Sequence, residues 1–435
     1  MVVKMTQFTT PRGMNDIGVE EMERRLWIQS KIEPVIRSYG FRRVEPTFIE
    51  HLDTLKAKSG EAILQEIYYF KDKAGRDLGL RFDLTVGMAR MVANDFKTPE
   101  PIKLYAISPM WRYDEPQAGR YRCFWQWDVE TYGPTEAYAD AEVISLGLDV
   151  MKSVGLNATV HVSHRKLLEG VVRVLGAKTE EQVKRCFNAL DKAQKIGRDE
   201  LNQLLQSAGL PAESSQLLVD LVYSRADLDG LKAKLGEGVL RQVEDALREL
   251  DVLWDELGSL DKKQSCSLDL SIVRGLDYYD GIVFEGYTEG SNLSLFGGGR
   301  YNNLTAIYGS RHLPATGVAG GIERLMLALE QVGVFSKLEE QKPVRVFVAN
   351  TDEQTRRDAI GVATALRRRG IVAEYTIKDW PLRRQLSFAG AGSYTHALIV
   401  GRKEVSTGVY TLKELKSGLQ VEKSLQEILD MLTPP

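Results

Sequence analysis

The residues best suited to chemistry are concentrated between Trp111 and Arg122, in the stretch WRYDEPQAGRYR. Pro116 and Gly119 predict a loop after a strand at Leu104–Ala106, and three arginines alternate there with aromatic and small residues. An arginine guanidinium can bind phosphate through two hydrogen bonds, and a tyrosine or phenylalanine ring can stack on a base. The loop could therefore clamp a nucleotide, an RNA or both. The alternative is a surface hairpin whose arginines pair with local carboxylates.

The stretch FWQWDVE that follows predicts a strand with two unlike faces. Because side chains alternate along a strand, Gln126, Asp128 and Glu130 share one face, and the opposite face is apolar. Polar side chains on a strand that should be buried need partners. They could be structural, or they could line a pocket for a cationic or polar ligand. Asp83 and Thr85, which project together from RFDLT, pose the same question.

Two glycine-rich segments complete the set of candidate sites. RGLDYY at 274–279 is followed by FGGGRY at 296–301, whose glycines permit close approach to a ligand but also occur in tight turns. GVAGGIERL at 317–325 brings glycines to the start of an apolar helix. Neither segment has the spacing of a dinucleotide fingerprint or a P-loop. The chain also contains no HExxH or GxSxG, so metal-dependent hydrolysis and serine-type catalysis lack their residues.

Composition narrows the class of protein further. The 435 residues include 57 Lys or Arg and 60 Asp or Glu, a net charge of −3, which excludes a wholly basic nucleic-acid coat and an acidic disordered chain. The three cysteines are widely separated and predict neither zinc ligation nor a disulfide framework. No segment is long and apolar enough to cross a membrane. We therefore expect a cytoplasmic protein without a membrane partner.

The patterning predicts four segments that must position these residues. A strand-rich core occupies 1–165, a helical insertion with apolar residues at 3.6-residue spacing occupies 166–261, and strand character returns in 262–335. Residues 342–435 alternate strands and helices, which predicts a small, mostly parallel sheet. That last segment carries 15 Lys or Arg against 10 Asp or Glu, so it could touch a polyanion or simply have solvated helix faces.

Four local expectations follow from the patterning. A helix is expected over 20–39, where apolar residues recur at helical spacing and Gly40 follows as a C-cap. Strands are expected at 268–274 and at 292–295. Residues 314–331 are expected to run through a glycine turn into a helix.

Taken together, the motifs resemble class II aminoacyl-tRNA synthetases, and specifically the histidyl-tRNA synthetase family. The resemblance covers essentially the whole chain and rests on the order and spacing of TPRGMND, DLTVGMARMVA, WRYDEPQAGRYR, RGLDYYDGIVFE, FGGGRY and GVAGGIERL. RGLDYY and GGGRY are characteristic of the histidine enzymes. The resemblance implies an α+β fold. Its catalytic core would have a mixed, mainly antiparallel sheet flanked by helices, with a helical insertion and a C-terminal α/β anticodon-binding domain.

The resemblance also implies a function and its partners. It predicts a histidine–tRNA ligase that activates L-histidine with ATP and Mg²⁺, releases pyrophosphate and transfers histidine to the 3′ end of tRNA(His). The family is dimeric, so a homodimer is expected. The alternative is a non-catalytic relative that acts as a regulatory or tRNA-sensing subunit. The arginines at 112, 274 and 324 and the presence of the C-terminal module argue against that alternative.

Residue roles follow from the resemblance position by position. Arg112 matches the arginine that holds the ATP α-phosphate and the reacting carboxylate, and Arg324 matches the γ-phosphate arginine. Arg274 matches a histidine-enzyme arginine at the α-phosphate side, so Arg112 and Arg274 are the expected catalytic residues. The remaining implied roles are adenine contacts for Tyr121 and Phe124, histidine contacts for Asp83, Thr85, Gln126, Glu130, Arg274, Tyr278, Tyr279 and Tyr301, and tRNA acceptor contacts for Gln117 and Arg120.

Two segments depart from the pattern of many bacterial members. The arginine loop has Asp114 and Glu115 where those members have an acid followed by a base, and Asp83 stands where a glutamate is usual. Both departures resemble the archaeal and eukaryotic branch of the family. They argue against a basic contact from position 115 to the tRNA.

Overall fold

The computed structural model describes residues 8–94, 97–116, 119, 121–224, 227–273, 279–288, 293–340 and 343–433. The chain divides into two compact units, Met1–Val334 and Phe335–Pro435. The strands of the first unit are β1 Arg42–Arg43, β2 Ile49–His51, β3 Tyr69–Lys71, β4 Asp77–Leu80, β5 Ile102–Trp111, β6 Cys123–Tyr132, β7 Ala158–His164, β8 Cys266–Leu268, β9 Ile282–Thr288, β10 Phe296–Tyr301 and β11 Ala315–Gly321.

Helices flank these strands and fill the segment between β7 and β8. They are α1 Val19–Ser38, α2 Leu52–Ser59, α3 Thr85–Ala93, α4 Tyr138–Ser153, α5 Arg165–Val174, α6 Glu180–Leu190, α7 Arg198–Ser207, α8 Ala212–Tyr223, α9 Leu228–Lys234, α10 Glu237–Gln242, α11 Glu244–Ser259, α12 Leu304–Tyr308 and α13 Ile322–Gln331. A further helix, α14 Val334–Glu340, crosses the boundary between the two units. Short 3₁₀ turns occupy Gly60–Gln65 and Lys263–Ser265.

An eight-stranded sheet organises the first unit, in the order β1-β5-β6-β11-β10-β9-β7-β8. The outer pairs β1/β5 and β7/β8 are parallel, and the inner pairs are antiparallel. The expectation of a mixed, mainly antiparallel sheet is confirmed. A separate antiparallel sheet has the order β2-β4-β3.

The long hairpin of β5 and β6 carries the arginine loop at its tip. Its register pairs Trp111 with Cys123 at the loop end and Ile102 with Tyr132 at the other end. The apolar residues of β5 and α3 pack into one buried cluster that includes Leu84, Met88 and Leu104. That packing fixes the register of β5 against β6, the strand with the polar face. A strand buried on one face cannot slip by one residue without exposing its apolar side chains.

Helix α1 shows why the amphipathic pattern predicted it correctly. Ile28, Ile32 and Ile36 recur every four residues and are completely buried, and Arg25 lies on the same face one turn earlier. The helix ends before Gly40, which adopts φ +84°, a conformation that glycine tolerates better than other residues.

The helical insertion begins at a histidine. The His164 ring accepts a hydrogen bond from the Leu167 amide at 3.3 Å and so caps α5, while its Nε2 lies 2.9 Å from a carboxylate oxygen of Glu249 on α11. One side chain therefore joins the first and last helices of the insertion at the end of β7.

Three local expectations are wrong. The strand expected at 268–274 lies instead at Cys266–Leu268, and residues 293–295 precede β10 without forming a strand. FGGGRY is strand β10, and the glycines before α13 belong to strand β11. The reason is steric: a Cβ on Gly298 would lie 1.9 Å from the carbonyl oxygen of Gly317, so glycines here let two strands approach closely.

The second unit has its own sheet and core. Its strands are β12 Arg345–Asn350, β13 Val372–Tyr375, β14 His396–Val400, β15 Val409–Glu414 and β16 Gln420–Ser424, and its helices are α15 Arg356–Arg368, α16 Leu382–Ala391, α17 Arg402–Thr407 and α18 Leu425–Leu432, with a 3₁₀ turn at Glu353–Thr355. The order is β13-β12-β14-β15-β16. Only the pairs made by β12 are parallel, so the sheet is mixed and the expectation of a mostly parallel sheet is wrong.

Candidate active site

A charged cavity of about 330 Å³ lies beside the hairpin of β5 and β6. Its walls come from α3, β6, β11 and α13 and from the segment before β10. Several residues singled out from the sequence line it together: Asp83, Thr85, Arg112, Phe124, Gln126, Tyr279 and Arg324.

Arg112 is held in place at the end of β5. Its Nε donates to the carbonyl oxygen of Phe82 at 2.9 Å, and its guanidinium carbon lies 5.1 Å from the centre of the Phe124 ring. Arg324 lies on the first turn of α13, and its Nη1 donates to the carbonyl oxygen of Ser294 at 2.9 Å. Two guanidinium groups from distant parts of the chain therefore border one cavity.

The polar face of β6 forms another wall of the cavity. The Gln126 amide donates to Oδ1 of Asp128 at 2.8 Å, as the period-two pattern predicted for side chains on one face. Asp83 caps α3 by accepting a hydrogen bond from the Val86 amide at 2.9 Å. Its other carboxylate oxygen lies 3.7 Å from Nζ of Lys58 on α2.

Glu130 and Tyr301 form a buried pair deeper in the sheet. The Tyr301 hydroxyl donates to Oε2 of Glu130, and the two side chains are 3% and 1% exposed. Burial, helped by the negative charge of the nearby Asp128, raises the pKa of Glu130 to about 8 against the opposing hydrogen bonds from Tyr301 and Thr85. A Cβ on Gly317 would lie 1.7 Å from the Glu130 carboxylate, so this glycine provides the space that Glu130 occupies.

Burial also changes the acidity of Asp128, which the sequence placed on the polar face of β6 without assigning it a role. Asp128 is 1% exposed, and its Oδ2 has no hydrogen-bond partner within the described part of the chain. Desolvation, helped by the negative charge of Asp83, raises the pKa of Asp128 to about 7.

Lys58 and Glu323 are further residues that sequence reasoning missed. Lys58 is largely buried beside Asp83, and that burial lowers its pKa. Glu323 accepts the Trp125 amide on both carboxylate oxygens, at 3.0 and 3.1 Å, and lines the cavity next to Arg324. A single lysine on a short helix carries no signal in the sequence, whereas Glu323 was within reach as the neighbour of Arg324 in GIERL.

Some predicted site residues are not brought to this cavity by the described structure. Tyr121 lines a second concavity of about 450 Å³ between α1 and α13, together with Glu20, Met326 and Leu327. Four other predicted residues lie outside the described residues: Gln117, Arg120, Arg274 and Tyr278.

The fold and the site together define a class of protein. The described residues form a mixed sheet, a charged cavity bordered by one arginine of the hairpin and one of a helix, and a separate five-stranded α/β unit. This is the arrangement that the resemblance to class II aminoacyl-tRNA synthetases implied.

Comparison with known proteins identifies the family. The histidyl-tRNA synthetase family model matches residues 13–325, and an anticodon binding domain matches residues 344–433. The chain is 35% identical to the histidine–tRNA ligases of Pyrococcus furiosus, over 97% of this chain and 98% of that one, and of Thermococcus kodakarensis, over 98% and 100%. The crystal structure of histidyl-tRNA synthetase from Nostoc sp. PCC 7120 aligns with a TM-score of 0.84 at 25% identity, over 98% of this chain and 99% of that one. The chain belongs to the histidyl-tRNA synthetase family.

Among the helices in the described ranges, none combines the length and the apolar character needed to cross a bilayer.

Proposed function

We propose that this chain is a histidine–tRNA ligase whose active site is the cavity bordered by Arg112, Gln126 and Arg324. Histidine reacts with ATP to give histidyl-adenylate and pyrophosphate, and histidine then passes to the 3′ end of tRNA(His) with release of AMP. The observation that carries the proposal is the convergence of two guanidinium groups and a buried polar strand face on one cavity. The regulatory alternative is favoured by no feature of the chain.

The chemistry of activation explains why arginines are needed. The histidine carboxylate attacks the α-phosphorus of ATP, a P–O bond forms, and the bond to the β-phosphate breaks as pyrophosphate leaves. Two anions must approach each other, and fixed positive charge offsets their repulsion as charge builds up in the transition state. The carboxylate is already ionised at neutral pH, so this step needs no general base.

Each arginine has a proposed place in this step. Arg112, fixed by the Phe82 carbonyl, holds the α-phosphate and the reacting carboxylate, and Phe124 beside it flanks the adenine. Arg324 holds the γ-phosphate. Arg274 supplies the further charge on the α-phosphate side. Each well-placed donor is worth about 2–4 kcal/mol of transition-state stabilisation.

Selection of histidine is assigned to the polar residues around β6. We propose that Asp83, Thr85 and Gln126 read the amino and carboxylate groups, and that Glu130, Tyr278, Tyr279 and Tyr301 read the imidazole ring. A site built to hydrogen-bond both ring nitrogens rejects other amino acids, because they would leave its buried polar groups unpaired. The hydrogen bond between Tyr301 and Glu130 supports this assignment, since it fixes one ring acceptor before the substrate arrives.

Mg²⁺ is the proposed cofactor, bound with ATP. In the described ranges, no three His, Cys, Asp or Glu side chains are grouped as metal ligands. Mg²⁺ at nucleotide sites is usually held by substrate phosphates, water and one or two carboxylates. When bound, the ion neutralises charge on the outer phosphates.

Gln117 and Arg120, in the loop between β5 and β6, are the proposed contacts to the acceptor end of tRNA. The second unit is proposed to bind the anticodon.

We also propose that the chain divides into four parts at 1–165, 166–261, 262–335 and 342–435. Tyr121 is a further proposed adenine contact, and the proposed location is the cytoplasm.

A homodimer is proposed on the basis of the small β2-β4-β3 sheet. Phe48, Ile49, Tyr69 and Phe70 are 41–54% exposed on or next to its strands, and exposed apolar side chains grouped in this way mark interaction surfaces. Phe48→Glu should convert the dimer to a monomer in light-scattering measurements, and Val174→Glu, at an isolated exposed residue on α5, should not. A wild-type monomer at micromolar concentration would contradict the proposal.

ATP–pyrophosphate exchange across all twenty amino acids tests the function itself. Exchange should depend on histidine and exceed that with any other amino acid on the order of 10⁴-fold. Exchange with another amino acid, or none at all, would refute the assignment.

A further inference from the structure

Asp128 is a buried carboxylate with an acceptor that the fold does not use. It lies on the cavity wall and is 1% exposed. Its Oδ1 accepts from the Gln126 amide, whereas its Oδ2 has no hydrogen-bond partner in the described ranges. A buried, unsatisfied carboxylate oxygen is costly, so it marks a place where a donor is expected to bind.

The charges around Asp128 show which kind of donor is missing. Asp83 and Glu130 are the other carboxylates close enough to act on it, and Lys58 and Arg112 are the nearby cations. Lys58 is 3.7 Å from Asp83, and Arg112 is bonded to the Phe82 carbonyl, so both cations are engaged with other groups. Neither cation therefore satisfies Oδ2 of Asp128, and a ligand bearing a positive charge would pair with it.

Resting on the proposed function, we propose that the Asp128 carboxylate binds the α-ammonium group of the amino acid substrate and so distinguishes amino acids from similar acids that lack this group. Asp83 is less suited to be the sole partner, because one of its oxygens caps α3 and the other faces Lys58. Gln126 directs its amide at Asp128 and so orients the carboxylate. The substrate ammonium supplies the donor that Oδ2 lacks.

The assignment predicts that histidine binding depends on pH. The pKa of Asp128 is raised to about 7, so the carboxylate is increasingly neutral below pH 7. A neutral carboxyl attracts an ammonium group weakly, and bound ammonium in turn favours the ionised form. The contribution of the ammonium to affinity should therefore fall as the pH drops through 7.

The test compares two ligands that differ only in the ammonium group. Dissociation constants of histidine and of 3-(imidazol-4-yl)propionate are measured by calorimetry on the full chain. The constant of the propionate divided by that of histidine reports the contribution of the ammonium group. Asp128→Asn should reduce that ratio about 10- to 100-fold, mainly by weakening histidine binding. Asp83→Asn, a matched change in the same cavity, should reduce it less.

An unchanged ratio in Asp128→Asn, or a larger loss in Asp83→Asn, would overturn the assignment. If Asp128→Asn fails to fold, the wild-type ratio measured from pH 8 to pH 6 decides, because it should fall with pH and a flat ratio overturns the proposal. A wild type that shows no histidine-dependent exchange refutes the proposed function instead, so the two failures can be told apart.

Discussion

The guanidinium Nη1 of Arg25 lies 2.8 Å from Oε1 of Glu323, and the two side chains are only 4% and 5% exposed. This buried ion pair joins α1 to the first turn of α13. Glu323 also accepts the backbone amide of Trp125, so it fastens β6 as well. Phe124 precedes Trp125 and Arg324 follows Glu323, so the pair holds the strand and the helix that carry the proposed adenine and γ-phosphate contacts.

Breaking this pair should destabilise the protein strongly. Arg25→Met leaves the Glu323 carboxylate buried without its cation, which should lower the free energy of unfolding by about 3–5 kcal/mol in urea titrations. Arg185→Met, which breaks an exposed pair with Glu181 on α6, is the control and should cost less than about 1 kcal/mol. Equal effects of the two substitutions would show that burial of the pair does not matter.

Arg112→Ala should lower the rate of histidine-dependent pyrophosphate exchange at least about 100-fold, because it removes one preorganised donor at the reacting phosphate. Arg12→Ala is a suitable control, since Arg12 pairs with Glu115 on the surface, where both side chains are more than 70% exposed. The control should retain near-normal exchange. A similar retention in Arg112→Ala would remove this arginine from the mechanism.

Glu130→Gln should abolish histidine activation and yet become more stable relative to the wild type as the pH rises. Burial raises the pKa of Glu130 from 4.5 to about 8. Between these pH values the unfolded chain has released the proton and the folded chain still holds it, so this group destabilises the wild type progressively as the pH rises. A glutamine does not titrate, so the free energy of unfolding of the variant does not fall with pH for this reason.

The free energy of unfolding of the variant minus that of the wild type should therefore increase from pH 5 to pH 8, while histidine activation is lost. Urea titrations at three pH values measure the difference. Glu181→Gln, at an exposed position, should show no such trend. A difference that is constant with pH would contradict the burial of a protonated Glu130.

Removal of residues 342–435 should leave adenylate formation intact and weaken tRNA charging. The second unit has a hydrophobic core of its own, which includes Val346, Leu366 and Leu398. Loss of base contacts at about 1–3 kcal/mol each should lower kcat/KM for tRNA by at least about 10-fold. Equal loss of exchange and charging would contradict two independently acting modules.

The sequence by itself determined the features that depend on short-range patterns of residues. Helix α1 followed from isoleucines four residues apart, and the shared face of Gln126 and Asp128 followed from strand alternation, because both patterns depend only on neighbouring residues. The motif order was sufficient to indicate the family, and the family model confirmed it.

Only the tertiary structure decided which residues meet across long stretches of chain. The pairing of Arg25 with Glu323 joins residues almost 300 positions apart, and Lys58 reaches Asp83 from a short helix with no distinguishing pattern. The glycines of FGGGRY proved to let two strands approach closely, which depends on a neighbouring strand that local spacing cannot reveal. The acidity of Asp128 likewise comes from burial and surrounding charge, and both exist only once the chain has folded.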